Sequence, residues 1–145
     1  MKRRFEVVST YDNVVLPKRA TRHSAGYDLH AVKETRIEPK QMGLVATGVK
    51  AYFGEHETLI IYARSSLPMK YGLMLPNGVG VIDSDYVDNE TNEGELFVLL
   101  YNFTDYPVVI PKNERIAQAI FSPFSTVDDE STPGTSRTGG FGSTT

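Results

Sequence analysis

The sequence has no cysteine, no apolar run long enough to cross a membrane and no excess of positive charge. Without cysteine there can be no disulfide, no thiolate metal site and no cysteine nucleophile. A spanning helix needs roughly 20 apolar residues, whereas the apolar stretches here have the length of strands. Residues 1–12 hold no apolar run of signal-peptide length, so a cytoplasmic location fits best. The net charge of -3 argues against a general nucleic-acid binder, which normally carries a basic face.

The composition is that of one ordinary globular domain. The 145 residues are 40% hydrophobic and 23% charged, which is enough for one core. Eight prolines and twelve glycines separate short runs rich in β-branched, leucine and aromatic residues, a pattern typical of strands bounded by turns. These runs are Arg4–Ser9, Gly43–Tyr52, Glu57–Ala63, Gly94–Phe103 and Val108–Ile110. We therefore predict an antiparallel all-β barrel or sandwich over residues 1–127.

Two segments depart from the strand pattern. Ser65–Lys70 places hydroxyls at a helix N-cap and a proline near the first turn, which predicts one or two helical turns. Residues 128–145 are polar and glycine-rich and contain one large apolar side chain, Phe141. Such a segment cannot bury enough surface to order itself. We predict a C-terminal arm that is disordered alone or ordered by something it touches.

Two sites in the domain carry residues suited to catalysis and to phosphate binding. Asp83 and Asp85 follow an apolar run, and strand alternation would place both on one face, where they could position a water for attack. The alternative is a polar strand end at a turn. Arg64 with Ser65 and Ser66 suits phosphate, and an exposed arginine beside a helix cap explains the same residues equally well.

The arm gives a more informative signal than Arg64, Ser65 and Ser66 do, whereas the histidines give none. Phe141 stands among glycines and hydroxyls with no apolar neighbours, so its ring could close over a base while Arg137 binds phosphate. The alternative is a flexible tail without function. His23, His30 and His56 show no metal-ligand spacing. We expect these histidines to be surface side chains or hydrogen-bonded core side chains.

Taken in order, five segments resemble the five motifs of the trimeric deoxyuridine triphosphate diphosphatase (dUTPase) family. They are Ala25–Leu29, Arg64–Leu67, Asn77–Tyr86, Arg115–Gln118 and Arg137–Thr144. The resemblance implies a distorted jelly-roll β-barrel that forms a homotrimer, with a flexible C-terminal arm, residues 128–145, that closes over a neighbouring active site. It also implies hydrolysis of dUTP to dUMP and pyrophosphate with Mg²⁺, which keeps uracil out of DNA and supplies dUMP for dTMP synthesis.

The resemblance assigns a role to each matching residue. Asp83 would activate the water that attacks the α-phosphorus, and Tyr86 would pack under the deoxyribose and leave no space for a 2′-hydroxyl. Asp28 would contact Mg²⁺ through water, which fits a hard ion that keeps its waters. The other implied substrate contacts are Arg64, Ser65, Ser66 and Gln118 on the triphosphate, Asn77, Gly80, Val81 and Ile82 at uracil, and Arg137, Phe141, Gly142, Ser143 and Thr144 from the arm.

The sequence departs from the family after Tyr86. The family usually has one residue between this tyrosine and a glycine, whereas Val87–Glu93 separates Tyr86 from Gly94 here. One interpretation is a longer solvated hairpin loop, because loop entropy grows slowly with length. The other is a binding surface for a regulatory protein, since some phage relatives carry insertions at this place.

Two other functions compete with dUTP hydrolysis. A dCTP deaminase shares the fold and an Arg-Ser-Ser segment, but its catalytic glutamate has no clear counterpart near Ile82 and Asp83. A regulatory module that keeps nucleotide affinity and holds a partner through residues 87–93 would belong to a different class. A deaminase would release ammonia from dCTP, and a binding module would release no product. An assay of the products therefore separates both from dUTP hydrolysis.

Overall fold

The computed structural model describes residues 2–130, which form twelve strands and one short helix. In chain order they are β1 (Arg4–Val7), β2 (Lys18–Arg19), β3 (Tyr27–His30), β4 (Thr35–Ile37), β5 (Met42–Ala46), β6 (Val49–Tyr52), β7 (Glu57–Ala63), α1 (Leu67–Tyr71), β8 (Leu73–Met74), β9 (Gly80–Ile82), β10 (Phe97–Asn102), β11 (Val108–Ile110) and β12 (Arg115–Pro123). The prediction of a β fold with one short helix is confirmed for this part of the chain. No helix in it is long and apolar enough to span a membrane.

The largest sheet has the order β2-β3-β12-β7-β9, with antiparallel neighbours throughout. The nine-residue strand β12 lies at its centre, paired with β3 on one side and along the whole of β7 on the other. Ile116, Ala117 and Ala119 of β12 are completely buried. This central position explains why the strand is apolar on both faces.

Three smaller sheets complete the fold, in the orders β5-β10-β8, β1-β6 and β11-β4. The sheets share one core, whose fully buried side chains include Leu29, Leu59, Leu100 and Ile110. Strands β3 and β7 each contribute core residues, and candidate site residues lie on these strands or directly after them. The core therefore fixes where the candidate site residues lie.

Two of the predicted strands have the bounds that the sequence indicates, and one prediction is wrong. The runs Glu57–Ala63 and Val108–Ile110 are β7 and β11, while the run that begins at Arg4 ends as a strand at Val7. The run Gly43–Tyr52 is two strands, β5 and β6, because the chain turns at Gly48 with φ 73°. Glycine adopts this left-handed conformation without steric cost, and it ends the strand.

The predicted helix is confirmed as α1. Ser66 is its N-cap, Pro68 lies in its first turn and Gly72 ends it in the left-handed conformation at φ 67°. The Gly72 N–H donates to the carbonyl oxygen of Pro68. The Ser66 side chain makes no capping hydrogen bond, so its hydroxyl is not used to start the helix.

Candidate active site

Charged side chains from three neighbouring strands meet at one end of the large sheet. Asp28 lies on β3, Arg115 begins β12, and Arg64 follows the last residue of β7. Arg115 Nη1 lies 3.4 Å from Asp28 Oδ2, and Arg64 Nε lies 3.9 Å from Asp28 Oδ1. The Asp28 side chain is only 15% exposed. This mostly buried carboxylate is therefore compensated by two guanidinium groups.

Gln118 lies beside this cluster in the middle of the sheet. Its register partners are Asp28 on β3 and Tyr62 on β7, and its Nε2 donates to the Ala63 carbonyl oxygen at 3.3 Å. A Cβ built on Gly26 would lie 2.2 Å from Gln118 Oε1. Only glycine at position 26 leaves room for this glutamine side chain, which accounts for the glycine of the first motif.

Ser65 and Ser66 form the turn between β7 and α1. The Leu67 N–H donates to the Arg64 carbonyl oxygen at 3.0 Å and closes this turn. The helix is tied to the residue before β12 because the Tyr71 hydroxyl and Lys70 Nζ both donate to Glu114. The hydrogen bond from Tyr71 lowers the pKa of Glu114, which keeps its carboxylate ionised. The serine turn is therefore held close to the start of β12.

The segment to which the resemblance assigns uracil recognition is an exposed turn followed by an edge strand. Asn77 and Gly78 lie in the turn before β9 and are exposed. Gly78 has φ 82°, and a Cβ built on it would meet nothing within 4 Å. Gly80, Val81 and Ile82 form β9 at the edge of the sheet beside β7. A ligand can therefore approach the backbone here from solvent.

Asp83 is placed by a turn and not by strand alternation. Strand β9 ends at Ile82, and the Tyr86 N–H donates to the Asp83 carbonyl oxygen at 3.1 Å. The expectation that alternation puts Asp83 and Asp85 on one face is therefore wrong, because residues 83–86 are not a strand. Asp83 is exposed, whereas Tyr86 is buried at 4% exposure. The turn keeps an accessible carboxylate next to a fixed aromatic ring.

Within one chain the candidate residues form two separate groups. Arg64 follows Ala63 at one end of β7, while Ile82 pairs with Leu59 and accepts a hydrogen bond from Thr58 Oγ1 at 2.9 Å near the other end. Six residues of strand separate the two groups, which corresponds to about 20 Å at roughly 3.3 Å per residue. The sheet brings Asp28, Arg64 and Gln118 together, and it does not bring Asp83 to them.

Comparison with known proteins identifies the family. The dUTPase family profile matches residues 12–145. The chain belongs to the dUTPase family. It is 51% identical over 145 residues to the deoxyuridine 5'-triphosphate nucleotidohydrolase of Lactococcus lactis, which covers 98% of this chain and 97% of that protein.

Solved structures of the dUTPase family share the fold. The crystal structure of dUTPase from Streptococcus mutans is 48% identical, with a TM-score of 0.84 over 86% of this chain and 98% of that chain. The dUTPase of phage phi11 of S. aureus, in which a species-specific insert was visualised, is 18% identical, with a TM-score of 0.76 over 91% of this chain and 96% of that chain. The phage protein shows the fold alone.

The loop Val87–Glu93 is not only a solvated hairpin. Lys50, 8% exposed, donates to Asp88 at 2.6 Å and to Glu93 at 2.9 Å. Burial alone would lower the pKa of Lys50, but the bonds to the two carboxylates raise it. Hydrogen bonds from Ser9 and Lys50 lower the pKa of Glu93 to about 2. The loop is anchored to strand β6 through charges that the sequence pattern does not reveal.

A polar cleft of about 530 Å³ lies beside this loop. It is lined by Thr10, Lys50, Glu95 and residues 88–93. Of the residues that the family resemblance assigns to substrate, none that lies within residues 2–130 is on its wall. The cleft adjoins Tyr86 through Asn89 and Asn92, which both line it and hydrogen-bond to this tyrosine.

The histidines do not form a metal site in the part of the chain that the structure describes. Among residues 2–130, no three His, Asp or Glu side chains lie close enough to hold an ion. His23 and His56 are exposed, as expected. His30 is half-buried, burial lowers its pKa, and its buried Nδ1 makes no hydrogen bond within that range. The expectation of a hydrogen-bonded core side chain is wrong for His30.

The remaining substrate contacts lie outside residues 2–130. They are Arg137, Phe141, Gly142, Ser143 and Thr144. Their assignment, and the division of the chain into a domain of residues 1–127 and an arm of residues 128–145, stay predictions.

Proposed function

We propose that this member of the dUTPase family hydrolyses dUTP to dUMP and pyrophosphate with Asp83 as the residue that activates water. The observation that carries the proposal is the near-full-length identity of 51% to the Lactococcus lactis nucleotidohydrolase. The exposed position of Asp83 in the turn after β9 supports its role, because a catalytic carboxylate must reach a water outside the core.

In the reaction, the Asp83 carboxylate accepts a proton from a water whose oxygen forms a bond to the α-phosphorus. The bond from this phosphorus to the bridging oxygen of the β-phosphate breaks, and pyrophosphate leaves. The turn closed by the Tyr86 N–H fixes Asp83 relative to the ring. Holding the water in line with the breaking bond contributes more than the basicity of the carboxylate.

The triphosphate is bound by Arg64, Ser65, Ser66 and Gln118. Arg64 can turn from Asp28 to a phosphate without leaving the carboxylate uncompensated, because Arg115 also contacts Asp28. Planar guanidinium groups bind phosphate oxygens through paired hydrogen bonds. The hydroxyl of Ser66 at the start of α1 makes no capping hydrogen bond, so it can donate a further hydrogen bond to a phosphate oxygen.

Mg²⁺ is the proposed metal, held mainly by the phosphates and contacted through water by Asp28. Asp28 fits contact through water better than direct ligation, because its carboxylate is already paired with two arginines and, among residues 2–130, it belongs to no cluster of His, Asp and Glu that could hold an ion. Mg²⁺ characteristically keeps several waters and needs few protein ligands. When bound, it supplies positive charge that neutralises the departing pyrophosphate.

Selection of the nucleotide rests on the segment from Asn77 to Tyr86. Asn77 and the backbone of β9 read the polar edge of uracil, which leaves buried groups unpaired when cytosine is offered. The narrow hairpin excludes the 5-methyl group of thymine. The Tyr86 ring packs under the deoxyribose and excludes the 2′-hydroxyl of UTP, and Phe141 from the arm stacks on the base.

The active form is proposed to be a homotrimer of jelly-roll barrels. The sheet β5-β10-β8 supports this, because it exposes Met42, Leu44 and Met74 at 63%, 50% and 43%. Tyr101 pairs in register with both methionines, so the exposed apolar side chains are adjacent. Contiguous apolar surface marks a protein contact. In the trimer, the Asp83 group of one chain meets the Arg64 group of a neighbour.

A regulatory protein bound through residues 87–93 is retained as a second hypothesis. The acidic side chains Asp88 and Glu93 are already paired with Lys50, so they are not available to a partner without breaking those bonds. Deletion of residues 88–93 followed by a pull-down tests it. Unchanged partners after the deletion would contradict the hypothesis.

The test of the proposed function is an assay with four nucleotides. The purified protein is incubated with Mg²⁺ and separately with dUTP, UTP, dTTP and dCTP, and pyrophosphate and ammonia are measured together. We expect pyrophosphate from dUTP alone. Ammonia from dCTP would assign the chain to the deaminases, and no product from any nucleotide would favour a binding module.

A further inference from the structure

We propose that Asn92 is a positioning residue that fixes the ring of Tyr86 and so sets the rejection of ribonucleotides. The loop Val87–Glu93, which the sequence presents as a simple extension, thereby becomes part of the specificity machinery. The inference rests on the proposed function, in which Tyr86 packs under the deoxyribose. It assigns to this chain's own loop a role that the five family motifs do not contain.

The Tyr86 hydroxyl is held as both donor and acceptor. It donates to the Glu95 carbonyl oxygen at 2.6 Å and accepts a hydrogen bond from Asn92 Nδ2 at 3.0 Å. A phenolic hydroxyl has one proton to give, and that proton is used by Glu95. The second contact must therefore come from a donor, which the Asn92 amide nitrogen provides.

The orientation of the Asn92 amide is itself fixed. Its Oδ1 accepts hydrogen bonds from the Gly94 N–H at 3.0 Å and from Asn89 Nδ2 at 2.8 Å. With two donors on the oxygen, the nitrogen must face Tyr86. Asn89 is 6% exposed and its Nδ2 also donates to the Tyr86 carbonyl oxygen at 2.7 Å. The two asparagines hold Tyr86 by its backbone and by its hydroxyl.

The loop that carries these asparagines is rigidly closed. The Asp88 N–H donates to the Glu93 carbonyl oxygen at 2.9 Å, and Gly94 has φ 83°. A Cβ on Gly94 would lie 2.5 Å from the Val87 Cα, so only glycine closes the loop this tightly. Lys50 then ties both ends of the loop to β6. A closed and anchored loop is a suitable support for a ring that must not move.

Ring position matters because a 2′-hydroxyl is rejected by contact. Steric selection between a hydrogen atom and a hydroxyl depends on a surface that does not yield. When the bond from Asn92 is lost, the ring can move away from the sugar, and UTP then fits better. A displacement of about 1 Å in a site can change rates by about a hundredfold, and a partial release of the ring should give a smaller change.

The direct test is Asn92→Asp, which removes the donor to Tyr86 and keeps an oxygen for Gly94 and Asn89. The values of kcat and KM are measured for dUTP and for UTP. We expect the ratio of kcat/KM for dUTP to that for UTP to fall about tenfold. Tyr86→Phe removes this bond together with the hydrogen bond to the Glu95 carbonyl oxygen, so it should lower the ratio at least as far. Asn92→Asp in the Tyr86→Phe background should add nothing further.

Asn102→Asp is the matched control. Asn102 is completely buried, and its Nδ2 donates to the carbonyl oxygens of Ile37 and Tyr106 at 3.0 and 2.8 Å. Its Oδ1 accepts from Thr104, as Asn92 Oδ1 accepts from Gly94. This variant should weaken the fold by a similar mechanism. It should leave the ratio between dUTP and UTP unchanged.

The outcomes separate the inference from the proposed function. A wild-type protein that hydrolyses UTP as well as dUTP contradicts the role of Tyr86 at the sugar, and the inference fails with it. A wild-type protein that discriminates while Asn92→Asp keeps the same ratio contradicts the inference alone. An equal loss in Asn102→Asp also overturns it. Should Asn92→Asp fail to fold, an unchanged ratio in Tyr86→Phe still overturns the inference.

Discussion

The two ends of strand β7 are built by different means. Beside Arg64, charged side chains from β3 and β12 meet because the strand register aligns them, and Asp28 lies between two arginines. Beside Leu59, the neighbouring residues are held by a turn and by uncharged hydrogen bonds that fix Tyr86. The first end is suited to binding phosphate by charge, and the second to selecting a nucleoside by shape. Variants at the two ends should therefore fail differently.

The largest effect is expected from Asp83→Asn at the turn. Without the carboxylate, the attacking water is neither deprotonated nor held in line, so kcat should fall about a thousandfold. Binding of dUTP should change little, because the proposed role of Asp83 is to hold the water and not the triphosphate. Steady-state kinetics for kcat and calorimetric titration with a non-hydrolysable analogue for binding give the two numbers.

Asp105→Asn is the control for this change. The Asp105 side chain is 85% exposed in the turn between β10 and β11 and lies 3.8 Å from Lys40. We expect wild-type kcat. Full turnover by Asp83→Asn would refute the assignment of the base.

A smaller effect is expected from Arg64→Ala, and it should appear mainly in KM, whereas the effect of Asp83→Asn should appear in kcat. Loss of a charge-assisted hydrogen bond, which contributes about 2 kcal/mol, lowers kcat/KM about thirtyfold. Much of this loss should be in KM, since the proposed role of Arg64 is to bind the phosphates in the ground state. The fold should persist because Arg115 still compensates Asp28.

Arg36→Ala provides the comparison for the arginine. Arg36 on β4 is 58% exposed and pairs with Glu38, so its removal tests the loss of one surface charge. The KM of the Arg36→Ala variant for dUTP should match that of the wild type. An Arg64→Ala enzyme with unchanged KM and lower kcat would show that Arg64 acts on the transition state. It would contradict the distinction between the two ends of β7.

The smallest effect is expected on stability, from Glu93→Gln in the loop. The pKa of Glu93 is lowered from its ordinary 4.5 to about 2 in the folded protein. Its carboxylate therefore stabilises the fold above about pH 4.5, and this contribution is lost as the pH falls towards 2. Chemical unfolding at a series of pH values measures it. The wild type should exceed Glu93→Gln at pH 7, and the two should converge near pH 2.

A constant difference between wild type and Glu93→Gln across that range would contradict the ion-pair account. A matched substitution at Glu55, whose side chain is 84% exposed beside His56, should show almost no pH-dependent difference. Surface ion pairs of this kind contribute little.

The sequence predicts strand β7 better than strand β12, which pairs with the whole length of β7. The run Glu57–Ala63 is apolar, β-branched and bounded by turn residues, so its bounds are the same in sequence and structure. Strand β12 was not predicted, although it is the longest, because Ile116 and Ala117 are consecutive and both buried. A strand buried on both faces has no alternation to detect.

The loop after Tyr86 shows where sequence reasoning stops. Its length is visible in the spacing between Tyr86 and Gly94, but its function depends on contacts that are distant along the chain. Lys50, which anchors it, precedes Asp88 by 38 residues, and the hydrogen bonds of Asn92 require the loop to close first. Polar asparagines in a sequence indicate a turn, and only the folded loop shows that they hold a tyrosine.

The central claim is that Asp83 of one chain and Arg64 of another complete each active site. Asp83→Asn and Arg64→Ala chains are unfolded together at equal concentration, refolded as a mixture and assayed at a dUTP concentration well below the wild-type KM, where each variant alone is weakly active. Random assembly joins an intact Asp83 to an intact Arg64 in about one site in four, so we expect about a quarter of wild-type activity. Activity no higher than the mean of the two separately refolded variants would contradict the shared site.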